Sequence, residues 1–89
     1  MATGFGYVHL DASGLVKTGP GILHSVLVSA GSANAVATVY EEVSGSGDVI
    51  AVVTSVLNDS VSVVLDVAFG VGCYVTLSGA GATATVSYL

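Results

Sequence analysis

Eighty-nine residues with one Lys or Arg, six Asp or Glu and a net charge of −5 describe a single small, acidic domain that is 53% hydrophobic and only 8% charged. One cation supplies no electrostatic footprint for nucleic acid or for anionic lipid. One cysteine, Cys73, forbids an internal disulfide and a cysteine-based metal cage.

Other classes fall for related reasons. The longest stretches free of charge and glycine, such as Val49–Asn58, run to about ten residues, and a spanning helix needs about 20. The start, Met1-Ala2-Thr3-Gly4-Phe5-Gly6, has neither a basic nor an apolar signal segment, which fits synthesis in the cytoplasm. The density of Val, Leu and Ile rules out disorder.

Helical periodicity is missing throughout, while β-branched residues and Tyr are abundant. Tyr7–Leu10 reads as a short first strand, followed by a turn at Asp11-Ala12-Ser13-Gly14. Gly19-Pro20-Gly21 breaks any strand across Lys17–Gly21. Ile22–Ser29 is the second main strand, and Ala30–Asn34 a loop. Ala35–Val43 and Val49–Ser55 are expected to pair as a hairpin across Ser44-Gly45-Ser46-Gly47-Asp48. Asn58-Asp59 marks a turn before the long strand Val61–Phe69. Gly70-Val71-Gly72 leads into Cys73–Ser78, and Gly79-Ala80-Gly81 into Ala82–Tyr88. Seven or eight antiparallel strands with turns about every ten residues predict an all-β, antiparallel β-sandwich.

Alternation selects the inward faces of three strands. They are Val61, Val63, Leu65, Val67 and Phe69; then Cys73, Val75 and Leu77; then Ala84, Val86 and Tyr88. Two strands resist this assignment. Ile22, Val26 and Val28 share one face of theirs, yet Leu23 and Leu27 share the other; Ile50 and Val52 likewise back onto Val49 and Val53. Seven charges cannot keep such a surface free of apolar patches, so the chain is expected to act as a subunit of a closed oligomer. A monomer with a Ser-, Thr- and Ala-coated face is the alternative.

Chemistry-bearing residues are few. His9 and Asp11 share a strand face at spacing i, i+2, and with His24 could supply three metal ligands. No further ligand spacing supports that, so an exposed pair and an unrelated histidine is the preferred reading, with no metal site. Cys73 alternates with core residues and reads as buried and inert. Glu41 and Glu42 are adjacent, so on a strand they point to opposite faces and serve to solubilise its end. Ser44–Asp48 has neither the lysine nor the helix that a phosphate cradle requires. Tyr7, Tyr40, Tyr74 and Tyr88 could line a sugar-binding surface, but fit rim positions of a sandwich equally. No catalytic residue, cofactor or metal is assigned, and the chain reads as non-enzymatic.

Three stretches carry a family likeness. They are Gly21-Ile22-Leu23-His24-Ser25-Val26-Leu27-Val28; Ala37-Thr38-Val39-Tyr40-Glu41 with Ser46-Gly47-Asp48-Val49-Ile50-Ala51; and Leu65-Asp66-Val67-Ala68-Phe69, Gly72–Gly79 and Ala84–Tyr88. In this order they resemble small virion structural proteins of tailed bacteriophages, of the head decoration, cement or head-fibre-base kind. The likeness covers residues 19–89. It implies a jelly-roll-like sandwich, a homotrimer, and the major capsid protein as partner on the outer head surface. Residues 1–18 lie outside it and are expected to form an arm with the first short strand. A tail, adaptor or fibre-base protein is the alternative within the virion. A host-glycan-binding module using Tyr40 or Tyr74 is the alternative outside it.

Overall fold

A computed structural model describes residues 6–45 and 47–89. Eight strands form two antiparallel sheets with no helix among the described residues: β1 Gly6–Leu10, β2 Gly14–Thr18, β3 Gly21–Ser29, β4 Ala35–Tyr40, β5 Val49–Ser55, β6 Ser60–Phe69, β7 Gly72–Ser78 and β8 Thr83–Tyr88. The order is β1-β8-β3-β6 in one sheet (sheet A) and β2-β7-β4-β5 in the other (sheet B). Only β4 and β5 are joined as a hairpin; every other connection crosses between the sheets. The sandwich is as thin as two packed sheets should be, 35 × 32 × 17 Å.

The sequence reading missed β2. From Gly14 to the break at Gly19-Pro20 the strand has only five residues, too few for alternation to register, and it bulges at Val16. In the segment expected to form an arm with the first short strand, that strand is β1, Gly6–Leu10, paired with β8 at one edge of sheet A, and Gly14–Thr18 adds a second strand paired with β7 at one edge of sheet B. Residues 1–5 lie outside the described residues. The strand expected over Ala35–Val43 ends at Tyr40, where the backbone turns into the loop that carries Glu41 and Glu42. Ser46, expected within that hairpin loop, is also outside the described residues.

The core is built mainly of Val with small Ala. Leu23, Val26, Val28, Val39, Val75, Val86 and Cys73 are the largest fully buried side chains, and Ala35, Ala37 and Ala84 let the sheets approach. Of the inward faces expected, Phe69, Cys73, Val75, Ala84 and Val86 are buried, and Val61, Val63, Leu65, Leu77 and Tyr88 pack against the core from its margin. Val67 departs from expectation. It pairs with buried Leu23, but β6 is an edge strand and leaves it exposed.

The two-faced strands have a local explanation. Across β3 and β8, Leu23 pairs with Tyr88 and Ser25 with Ser87, so His24 is an extra residue in β3. The bulge reverses the alternation: Leu23, Val26 and Val28 all point inward, and Ile22 and Leu27 lie outside. In β5 the register jumps at Ile50, which joins the core margin beside Val53 while Val49 and Val52 stay exposed.

Candidate functional site

The outer face of sheet A is a hydroxyl and imidazole surface. Cross-strand pairing sets Tyr7, Ser87, Ser25 and Val64 in one row, and His9, Thr85, Leu27 and Ser62 in the next. The polar groups satisfy one another: His9 Nδ1 lies 2.8 Å from Thr85 Oγ1, Ser29 Oγ lies 2.9 Å from Ser60 Oγ, and Ser25 pairs with Ser87. These contacts follow from register, because opposed residues of an antiparallel pair bring their Cβ atoms within about 5 Å.

One pair on this face departs from regular geometry. In β6, Leu65 and Asp66 together oppose His24, and Asp66 takes a left-handed conformation, φ 51°. That places Asp66 Oδ1 2.6 Å from His24 Nδ1. A carboxylate can only accept, so Nδ1 carries the proton. The side chains are 32% and 61% exposed, so the pair contributes no more than about 1 kcal/mol. Its chemical capacity is that of an oriented imidazole on an open sheet. The described residues enclose no pocket around it.

The bulge makes Asp66 a testable position. Asp66→Asn keeps a side chain suited to φ above zero and is expected to move the urea midpoint little. Asp66→Val puts a β-branched residue into that conformation and removes the His24 contact. It is expected to cost about 1–3 kcal/mol.

The trio His9, Asp11 and His24 is not assembled. His9 lies on β1 and His24 on β3, with β8 between them, and Asp11 lies in the turn after β1. No group of three His, Cys, Asp or Glu with the spacing of a metal site occurs among the described residues. The His24–Asp66 pair was not legible from the sequence, since 42 positions separate its members and only the two bulges align them.

The outer face of sheet B differs in character. Its rows are Leu15, Tyr74, Tyr40 and Val49; Thr76, Thr38 and Val52; and Ser78, Val36 and Thr54. None of these residues is charged. Tyr40 and Tyr74 are thus direct neighbours, both half-buried. The β4–β5 loop folds back over this face, with Gly45 against the side chains of Thr76 and Tyr74. Glu41 leaves the face altogether: its Oε2 accepts the Gly70 amide at 2.8 Å, tying the β4–β5 loop to the β6–β7 connection.

Cys73 is fully buried, and burial pushes its thiol up to about 11 from an ordinary value of 9.0. Stability held by the neutral thiol is therefore complete below about pH 9 and is lost as pH rises toward 11. At roughly 1.4 kcal/mol per unit, the loss is about 2–3 kcal/mol. Urea midpoints near pH 8 and pH 11 are expected to diverge more in the native chain than in Cys73→Ala. Equal divergence in both would exclude the thiol as the cause.

No protein-family model matches this chain, and neither characterised proteins nor solved structures show a significant similarity to it.

Proposed function

We infer that this chain is a non-enzymatic structural subunit that works by covering area, in the manner of a decoration or cement protein on the outer surface of a tailed-phage head. The observation that carries this reading is the strand order. β1-β8-β3-β6 facing β2-β7-β4-β5, with a single hairpin at β4–β5, is read as the double Greek key of a jelly roll, an architecture that viral capsid domains use. Fold alone assigns no role, and the surface supplies the second support. Tyr7, Leu15, Val49, Val52, Val56, Leu57 and Val64 are all more than 40% exposed on a chain with seven charges. Apolar surface on that scale suits a protein that spends its working life covered. The partners proposed are further copies of the chain, as a trimer, and the major capsid protein. The site of action is the virion surface after synthesis in the host cytoplasm.

Capsids prepared without the protein are expected to bind it saturably and to resist heat better once it is bound. Calorimetry of capsids titrated with the purified chain measures both. Capsids that neither take it up nor gain stability would end this reading.

A further inference from the structure

Main-chain nitrogens of a sheet are mostly committed to its ladders, and Ser60, the first residue of β6, is an exception. It faces Ser29 of β3, and beside that pair the Ala30 amide donates to the Asp59 carbonyl at 2.9 Å. Ser29 and Ser60 thus form a non-hydrogen-bonded pair, so the Ser60 N–H points away from β3. β6 is an edge strand, and no ladder lies on that side. The Ser60 amide donates instead to Oδ1 of Asp59, the residue before it, at 2.8 Å. Both residues are exposed. A carboxyl group is therefore seated against a backbone nitrogen that the sheet leaves free.

The other candidate side chains are placed differently. Asp48 and Asp66 precede Val49 and Val67, whose β-branches crowd the following amide, and Asp66 is turned onto His24. Asn34 Oδ1 accepts the Leu57 amide at 2.9 Å. The amide that follows Asn58 is that of Asp59, and it donates to the Val56 carbonyl at 3.0 Å. Asp11 precedes Ala12 in an exposed turn. Among the described residues, only Asp59 carries its carboxyl onto the next amide.

We propose that Asp59 is a site of spontaneous backbone isomerisation, in which the Ser60 nitrogen closes on the Asp59 carboxyl and the chain reopens as an isoaspartyl residue. The step needs no co-reactant but water. The nitrogen bonds to Cγ of the protonated carboxyl and loses its proton, and the carboxyl hydroxyl leaves as water. The product is a five-membered succinimide. Water then reopens it. Addition at Cγ restores Asp; addition at the main-chain carbonyl carbon leaves the chain running through Cβ and Cγ. Mass is unchanged, and one methylene has entered the backbone.

The change is felt inside the sandwich. The Asp59 carbonyl accepts the Ser55 hydroxyl at 2.9 Å as well as the Ala30 amide, and Ser55 is 3% exposed. Isomerisation turns that carbonyl into a pendant carboxylate. The tie to β3 is cut, and a buried hydroxyl loses its short acceptor.

Native chain held at about pH 5 and about 37 °C for several weeks tests the proposal. Peptide mapping with electron-transfer fragmentation separates isoaspartate from aspartate at each position. Isoaspartate is expected at position 59 about fivefold or more ahead of position 11, because the fold holds the reacting groups together. In urea the two positions are expected to converge. Ser60→Val keeps a strand former and crowds the nitrogen; it is expected to slow the reaction about fivefold with unchanged far-UV circular dichroism. Asp59→Glu, which would have to close a six-membered ring, is expected to give no isomerised residue at 59. Chain rich in isoaspartate is expected to unfold at a lower urea concentration than fresh chain. Aged native chain without isoaspartate at 59, or with position 11, Asn34 or Asn58 modified first, would overturn the proposal. So would an undiminished rate in Ser60→Val. None of these readouts involves capsids, so they decide the isomerisation apart from the virion reading.

Discussion

Leu23→Ala is expected to remove about 2–5 kcal/mol of stability. Leu23 has no exposed surface and is the largest aliphatic side chain fully buried in this core. It pairs with Tyr88 on one side and Val67 on the other, where sheet A is distorted by the His24 bulge. Truncation there loses transfer free energy and leaves a cavity that a strand held on both sides cannot collapse into. A domain of this size holds only about 5–15 kcal/mol in total. Urea unfolding should show a lower midpoint with an unchanged slope. The control is Leu27→Ala. Leu27 is 40% exposed on the outer face and should cost about 1 kcal/mol or less. Equal costs at the two positions would mean that β3 alternates regularly, and that the phase reversal at His24 does not exist.

Gly79→Ala is expected to be as damaging, for a backbone reason. Gly79 has φ 115°, a conformation that L-residues rarely adopt. A Cβ placed there would sit 2.3 Å from the Asn34 carbonyl oxygen and 3.1 Å from Ala35 Cα. Neither atom is free to retreat. Ala35 is fully buried at the start of β4, and the Asn34 side chain accepts the Leu57 amide at 2.9 Å. Strain and overlap together should cost about 3 kcal/mol or more. Gly19→Ala separates the two causes. Gly19 has φ 89° with nothing within 4 Å of its missing Cβ, so only the conformational cost of about 1 kcal/mol remains. Thermal unfolding of both variants should therefore show the larger drop at Gly79. Equal drops would make crowding against Asn34 irrelevant.

Much of this architecture was legible along the chain. A strand in a sandwich that is buried on one face must alternate, and β7 and β8 do so without interruption. Turn chemistry is equally local: Asn58 takes the left-handed conformation that its type tolerates, φ 61°, between β5 and β6. β2 escaped because five bulged residues carry too little pattern, and its place is supplied by β7, more than fifty positions away. The mixed pattern of β3 was visible, but its meaning was not. A bulge is defined by a count against a neighbouring strand, and the neighbour is not adjacent in sequence.

The chemical surface divides along the same line. That Cys73 is buried and that the Gly-rich loop is a hairpin follow from local spacing, because each depends on residues within a few positions, whereas the strand reading of Glu41 and Glu42 fails because β4 ends at Tyr40. Pairing His24 with Asp66, parting His9 from His24, and setting Tyr40 beside Tyr74 depend on register between strands far apart in the chain. Composition and alternation thus determined an all-β, charge-poor sandwich with apolar surface to spare. Which residues meet, and which edges stay open, was decided only when two sheets packed, since long-range register answers to the whole core rather than to any local segment.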